Sequence, residues 1–306
     1  MSSSSPPSVR LDARQARPHS SLWLIGIGVV AISFAAPLFK LSVPTHPLIA
    51  AATRLSIAAA LWGVITLGSR KHAREEWSRE QLKIAAICGG CYAVHFGAWV
   101  WSLGLTSVIT SATLVTTTPL MLGVIGVFSR RDAPTPRLML SGGIASLGVI
   151  GFAFEATQSA QDTLIGDALA LLGAVAMVPY LLLTRRLGAR LSIAPFSFIA
   201  TGGGAAILWL SAAGLLPWDQ LSLPVGAPLY ALISAALIPQ LIGHSALTLS
   251  LRHLTPTEVG IATLLEPVGA ALLAWWWMSE LPTTITSAAS AVTLIGVGVA
   301  LTRPRA

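Results

Sequence analysis

Residues 88–101 read CGGCYAVHFGAWVW, and Cys88, Tyr92, His95, Trp99 and the following Ser102 recur at spacings of three and four. That period puts them on one face of a helix. A phenol, an imidazole and an indole on one face suit a wet cavity that stacks and hydrogen-bonds a solute. The alternative is a set of polar groups satisfied by neighbouring helices. Gln240 and His244, one turn apart beside Pro239, offer a second such face, and Tyr180 beside Pro179 is a further cavity candidate. Glu266 is an acid inside an apolar run, immediately before Pro267. It reads either as a protonated structural group beside a loosened helix ladder, or as the partner of a substrate ammonium or a proton-coupling acid. Arg54 lies inside an apolar run and Lys40 ends one. Each either caps or snorkels or attracts a substrate carboxylate. Thr106, Thr110, Thr113 and Thr117 form a hydroxyl stripe leading to Pro119, although threonine often satisfies its hydroxyl on its own backbone. Pro119 and Pro267 are candidate hinges, since each interrupts a helical run.

Other chemistry finds little footing. The CGGC pair sits in a helical run without the βαβ setting that a redox motif needs, so Cys88 and Cys91 read as packing thiols. There is no HExxH, no pair of mid-span aspartates and no Ser–His spacing that implies a nucleophile with its base. No metal or cofactor is implied.

The elements that must position these residues follow from composition. Of 306 residues 54% are apolar and 10% charged, with a mean hydropathy of +0.74, against roughly a quarter charged in soluble domains. This is a polytopic membrane protein. Apolar runs between turn signals predict ten helices at about 22–40, 47–68, 82–103, 107–128, 138–154, 164–183, 193–216, 228–250, 258–277 and 284–302. The runs are continuously apolar and helix-length, which excludes a barrel of alternating strands. The net charge of +7 would suggest a nucleic-acid partner in a soluble chain. Here every Lys and Arg except Lys40 and Arg54 falls in or beside the N-terminal segment, the C-terminal segment or the loops on their side. The positive-inside rule then places both termini in the cytoplasm. Trp275, Trp276 and Trp277 read as an interfacial anchor. Residues 1–20, rich in Ser, Pro and Arg, read as a disordered cytoplasmic tail without a clear cleavage site.

Sliding the chain against itself at an offset of 148 pairs Pro47 with Pro195, Pro119 with Pro267, Pro134 with Pro282, Thr135 with Thr283, Gly148 with Gly296 and Asp132 with Glu280. Three proline pairs occur where this proline content gives about 0.6 by chance, so an internal duplication is favoured. Residues 21–155 form the first five-helix repeat and 163–303 the second. An odd number of spans per unit inverts the second copy in the membrane. The expected architecture is an all-α membrane protein of ten transmembrane helices in two inverted five-helix repeats, with a site near midplane at their interface.

The segment TLLEPVGAALLAWWWMSELP (263–282), followed by a helix ending LIGVGVAL, resembles the second-half signature of EamA-type transporters of the drug/metabolite transporter superfamily. TTTPLMLGVIGVFSRRDAP (116–134) is its first-half counterpart, and FKLSVPTHPLIAAATRL (39–55) is similar to the family's Lys, Pro and Arg arrangement across helices one and two. Asp132, with arginines around it, departs from the glutamate usual at its place. The resemblance covers essentially the whole chain after residue 20, and the tryptophan-rich helices are most similar to the aromatic amino-acid exporter branch. It implies a secondary transporter exporting amino acids, aromatic and other neutral ones, and related small metabolites across a bacterial cytoplasmic (inner) membrane by alternating access. Its partners would be the small-molecule substrate and the bilayer, with no nucleic acid. A zwitterion would use Arg54 or His95 for its carboxylate, Glu266 or Gln240 for its ammonium and Trp99 as an aromatic wall. A sugar-phosphate or nucleotide-sugar antiporter of the same superfamily needs several cations within the spans, where only Arg54 and Lys40 stand. An intramembrane enzyme is the alternative of a different class.

Overall fold

The computed structural model describes residues 19–73, 76–106, 108–128, 132–156, 163–278 and 281–302. Nearly all of the proposed tail lies outside them, as do Arg130, Arg131 and Glu280. Regular structure among the described residues is all helical. Joining segments that continue one another, α1 is Ser20–Lys40, α2 Pro47–Gly68, α3 Arg79–Ser102, α5 Pro136–Ala156, α6 Leu164–Leu187, α7 Ile193–Leu215, α8 Ala227–Ser250 and α10 Thr284–Leu301. Two helices come in halves, α4 as Val108–Val115 and Thr118–Val127, and α9 as Pro256–Thr263 and Glu266–Met278. Nine stretches among the described residues are long and apolar enough to cross a membrane, and the apolar part of α5, Pro136–Phe152, is shorter. Large apolar side chains such as Phe128, Leu210 and Trp276 are exposed, as expected of helices that face hydrocarbon.

Local chemistry sets the ends. Ser78 with Gln81, and Thr255 with Glu258, form reciprocal capping boxes at the starts of α3 and α9. Thr163 and Thr283 cap α6 and α10. His46 caps α2 by accepting from the Leu48 N–H at 3.2 Å. Burial lowers the affinity of its imidazole for a second proton, keeping the accepting nitrogen free.

Prolines set the breaks. A proline at i lacks the N–H that would bond the carbonyl of i−4, and its ring crowds that carbonyl. The first segments of α1, α4 and α9 end at Ser33, Val115 and Thr263, each four residues before Pro37, Pro119 and Pro267. In α8, Pro239 lies four residues after Ala235, where the helix widens into a π-helical stretch over Ala236–His244. Pro119 and Pro267 thus stand in the first turn of new half-helices, where a missing N–H costs little. The Thr118 hydroxyl donates to the Val115 carbonyl that Pro119 releases, at 3.2 Å. Pro179, by contrast, leaves α6 continuous.

The predicted hydroxyl stripe fails on this break. Thr106 precedes α4 and donates to Asp167 at 2.9 Å, while Thr117 lies in the interruption and bonds back to Leu114. An uninterrupted helix is needed to hold four threonines on one face, and α4 is not one.

Packing brings α3 against α6 and α7, α2 against α7, α1 against α8, and α5 against α10. The last pair meets through glycine: a methyl group at Gly148 would collide with Thr293, and one at Gly296 with Ala145. Ala145 and Thr293 are themselves 148 residues apart, so the contact is reciprocal.

Candidate functional site

A central cavity of about 70 Å³ lies where α1, α3 and α4 meet α6, α8 and α9. Ten of its lining residues form five pairs 148 positions apart: Ile32 with Tyr180, Phe96 with His244, Trp99 with Leu247, Val115 with Thr263, and Thr118 with Glu266. Phe96 and His244 touch each other, ring centroids 5.2 Å apart and edge to face. In four of the five pairs the more polar member comes from the second half. Both halves mix apolar and polar lining, the first bringing His95, Thr116 and Thr118 beside its rings and the second Tyr180, His244 and Glu266 beside Met177, Leu181 and Leu247.

The helix-three face divides. His95 and Trp99 line the cavity with rings nearly parallel at 6.2 Å. His95 is held by a 2.9 Å hydrogen bond from Nδ1 to the Gly173 carbonyl. A carbonyl only accepts, so Nδ1 carries the proton and Nε2 is the acceptor when the ring is neutral. Trp99 also meets Phe39 edge to face at 5.6 Å. Tyr92 and Cys88 sit behind this wall. The Tyr92 ring stacks on Tyr180 at 4.5 Å and its hydroxyl donates to the Tyr180 hydroxyl at 2.6 Å, which in turn pairs with Thr248 at 2.8 Å. Cys88 is a free thiol 3.7 Å from the Thr184 hydroxyl, and Cys91 is also free and buried. Ser102 bonds Ser111 at 2.6 Å, pinning the end of α3 to α4.

His244 and Glu266 both reach the cavity. His244 closes the π-helical stretch. Glu266 begins the second half of α9, where the helix N-terminus favours negative charge. Gln240 is fully buried and does not line the cavity; its Oε1 accepts from Arg54 Nη2 at 2.8 Å. Arg54 is 0% exposed, and its guanidinium lies over the rings of Phe96 at 4.3 Å and Phe39 at 5.3 Å. Lys40 is not brought to this group. It ends α1 with its side chain exposed, because its place in the last turn lets the ammonium leave the apolar interior.

Phe96, Phe39, Thr248 and Thr116 belong to the site region without any polar spacing signal of their own. The offset of 148 does point to Phe96, as the mate of His244. Among the described residues no group of three or more His, Cys, Asp or Glu is placed to hold a metal.

On the face where α6 and α8 end, backbone oxygens are gripped by arginine. Arg185 donates to the Leu251 carbonyl at 2.8 Å and the Arg252 carbonyl at 3.3 Å, and pairs with Asp132 at 3.3 Å. Arg252 donates to the Leu191 carbonyl. Asp132, in the connection between α4 and α5, thereby has a partner from α6.

A solved crystal structure at 18% sequence identity matches 94% of this chain and 98% of its own, with a TM-score of 0.76, which establishes the fold. No curated protein matches the chain significantly. Residues 164–302, from the start of α6 through the end of α10, match the EamA-like transporter family, which supports a place in the drug/metabolite transporter superfamily and points to a membrane transporter of small solutes rather than an enzyme.

Proposed function

We propose that this chain exports neutral amino acids, aromatic ones foremost, and related small metabolites across the cytoplasmic membrane by alternating access between two inverted five-helix repeats. The observation that carries the proposal is the paired lining of the cavity. Three helices from each half contribute, five position pairs recur at one offset, and the pair Phe96–His244 meets at the centre. A site on a pseudo-two-fold axis is what repeat-built secondary transporters place near midplane. The matched breaks of α4 and α9 and the reciprocal glycine contact of α5 with α10 support the same relation. The family match, spanning five helices, supports the second unit.

A lining of apolar rings interspersed with polar groups suits an amphipathic solute. Trp99, Phe96 and Ile32 would take the side chain, and His95, His244 and Glu266 the polar end. The cavity is smaller than the roughly 150 Å³ void that accepts a benzene ring, so a phenylalanine needs the walls to separate. Phosphate is a poor fit, because Arg54 is the buried cation among the described residues and it stands behind Phe96. The test is counterflow in proteoliposomes with labelled phenylalanine, threonine and glucose 6-phosphate, with and without a pH gradient. Phenylalanine and threonine exchange is expected, and sugar-phosphate exchange without amino-acid exchange overturns the reading.

A further inference from the structure

Arg54 lies within α2, is fully buried and makes one hydrogen bond, to Gln240. Its Nε and Nη1 have no partner, and it forms no ion pair among the described residues. A guanidinium stays charged and carries five N–H donors in a planar fork that fits a carboxylate. Buried charges are ordinarily paired and hydrogen-bonded. Here the open donors are covered instead by aromatic faces, Phe96 on the cavity side and Phe39 beside it. A ring face offers a cation a weaker hold than a charge-assisted bidentate hydrogen bond does.

We propose that Arg54 is a concealed receptor for the substrate carboxylate, uncovered when the Phe96 ring swings aside, so that the solutes carried are α-amino acids. This rests on the transport reading above and deepens it. Phe96 is the one lining residue over which the guanidinium sits, and its ring neighbours are His95 at 4.6 Å, Tyr92 and His244 each at 5.2 Å, and Trp99 at 6.5 Å. Moving that ring enlarges the cavity and joins it to the unpartnered nitrogens in one step. Gln240 takes one N–H of Nη2 and keeps the guanidinium oriented, which leaves Nη1 and Nε open; each shares an edge of the fork with Nη2, so a carboxylate can take the free edge through one of them and the second Nη2 N–H. Glu266 lines the cavity within electrostatic reach of Arg54. A zwitterion can therefore set its carboxylate on Arg54 and its ammonium toward Glu266. A solute without a carboxylate has nothing to exchange for the ring contacts and leaves Phe96 in place.

The experiment uses the full-length protein in proteoliposomes and compares phenylalanine with phenethylamine, which keeps the ring and the ammonium and lacks the carboxylate. Each competes against labelled threonine counterflow. The wild type is expected to favour phenylalanine by roughly 10- to 100-fold, the worth of a hydrogen bond to a charged group. Arg54→Gln should bring the two probes within about threefold of each other while phenethylamine still competes. Phe96→Leu keeps an apolar side chain and removes the ring face, so it should widen the preference by about threefold or more. Should Arg54→Gln fail to fold, Phe96→Leu decides alone, and a preference unchanged or narrowed there overturns the proposal. A wild type that takes both probes equally leaves transport standing and overturns the carboxylate site. A wild type that moves no amino acid overturns the transport reading and this inference with it.

Discussion

Replacing Tyr180 with phenylalanine removes one oxygen that serves two buried hydrogen bonds, from Tyr92 at 2.6 Å and with Thr248 at 2.8 Å. The ring stack on Tyr92 survives the change, so the effect isolates the hydroxyl. Tyr92 donates to Tyr180, so Tyr92→Phe breaks that bond and leaves the Tyr180–Thr248 pair in place. Side-chain hydrogen bonds inside membrane proteins average about 0.6 kcal/mol with a maximum near 1.7. Tyr92→Phe should therefore cost about 0.6–1.5 kcal/mol and Tyr180→Phe about twice that. The double variant loses the same two bonds as Tyr180→Phe and leaves one fewer stranded hydroxyl, so it should be no less stable than Tyr180→Phe. The coupling then equals the cost of Tyr92→Phe. Reversible unfolding of the purified protein in mixed micelles against a denaturing detergent, followed by circular dichroism, measures all four proteins. Additivity of the two single changes within about 0.3–0.5 kcal/mol refutes the shared bond.

Trp99→Ala should weaken phenylalanine relative to threonine by about 0.5–1.5 kcal/mol if the indole pairs with the substrate ring; an unchanged transport ratio at normal expression removes that wall from selection. Pro119→Ala and Pro267→Ala should alter transport rate more than equilibrium substrate binding if the paired interruptions serve the conformational switch, and unchanged rates in both leave the prolines as packing features. Gly148→Ala and Gly296→Ala should each destabilise the α5–α10 contact by about 1–3 kcal/mol through overpacking, read in the same detergent titration, and wild-type stability in either contradicts the close approach. Cysteines introduced at residues 70–81, 129–137 and 185–192 should resist impermeant thiol reagents in intact cells, and labelling of 185–192 from outside would discard the proposed orientation.

The helices were legible because hydrocarbon demands long apolar runs, and the interruptions because proline strikes the carbonyl four residues back. Pro179 shows the limit, since the same residue leaves α6 intact and its spacing says nothing of whether neighbours hold a helix together. The candidate cavity was legible in its polar members. His95, Trp99, Tyr180, His244 and Glu266 line one cavity, whereas Tyr92 and Gln240 lie just behind it, because a spacing of three or four defines a face too broad to separate wall from backing. Lys40 takes the snorkelling alternative, since an ionisable residue in the last turn of a span can leave it. Arg54 stands out in any reading of charge, yet Phe96, which covers it, is one apolar residue among many. The repeat offset reaches it as the mate of His244, and contact distances show what it covers.

The arginine grips at the ends of α6 and α8 have a consequence for how this face can come apart. Arg185 and Arg252 hold the carbonyls of Leu251, Arg252 and Leu191, and main-chain oxygens are the same whatever side chain the residue bears. The fastening reads the path of the chain and ignores its letters. Exchanges at Leu191 or Leu251 leave it closed, and it lets go only when a whole helix end withdraws. Two helix termini that could otherwise fray independently are thereby made to leave together, as the jaws of one clasp.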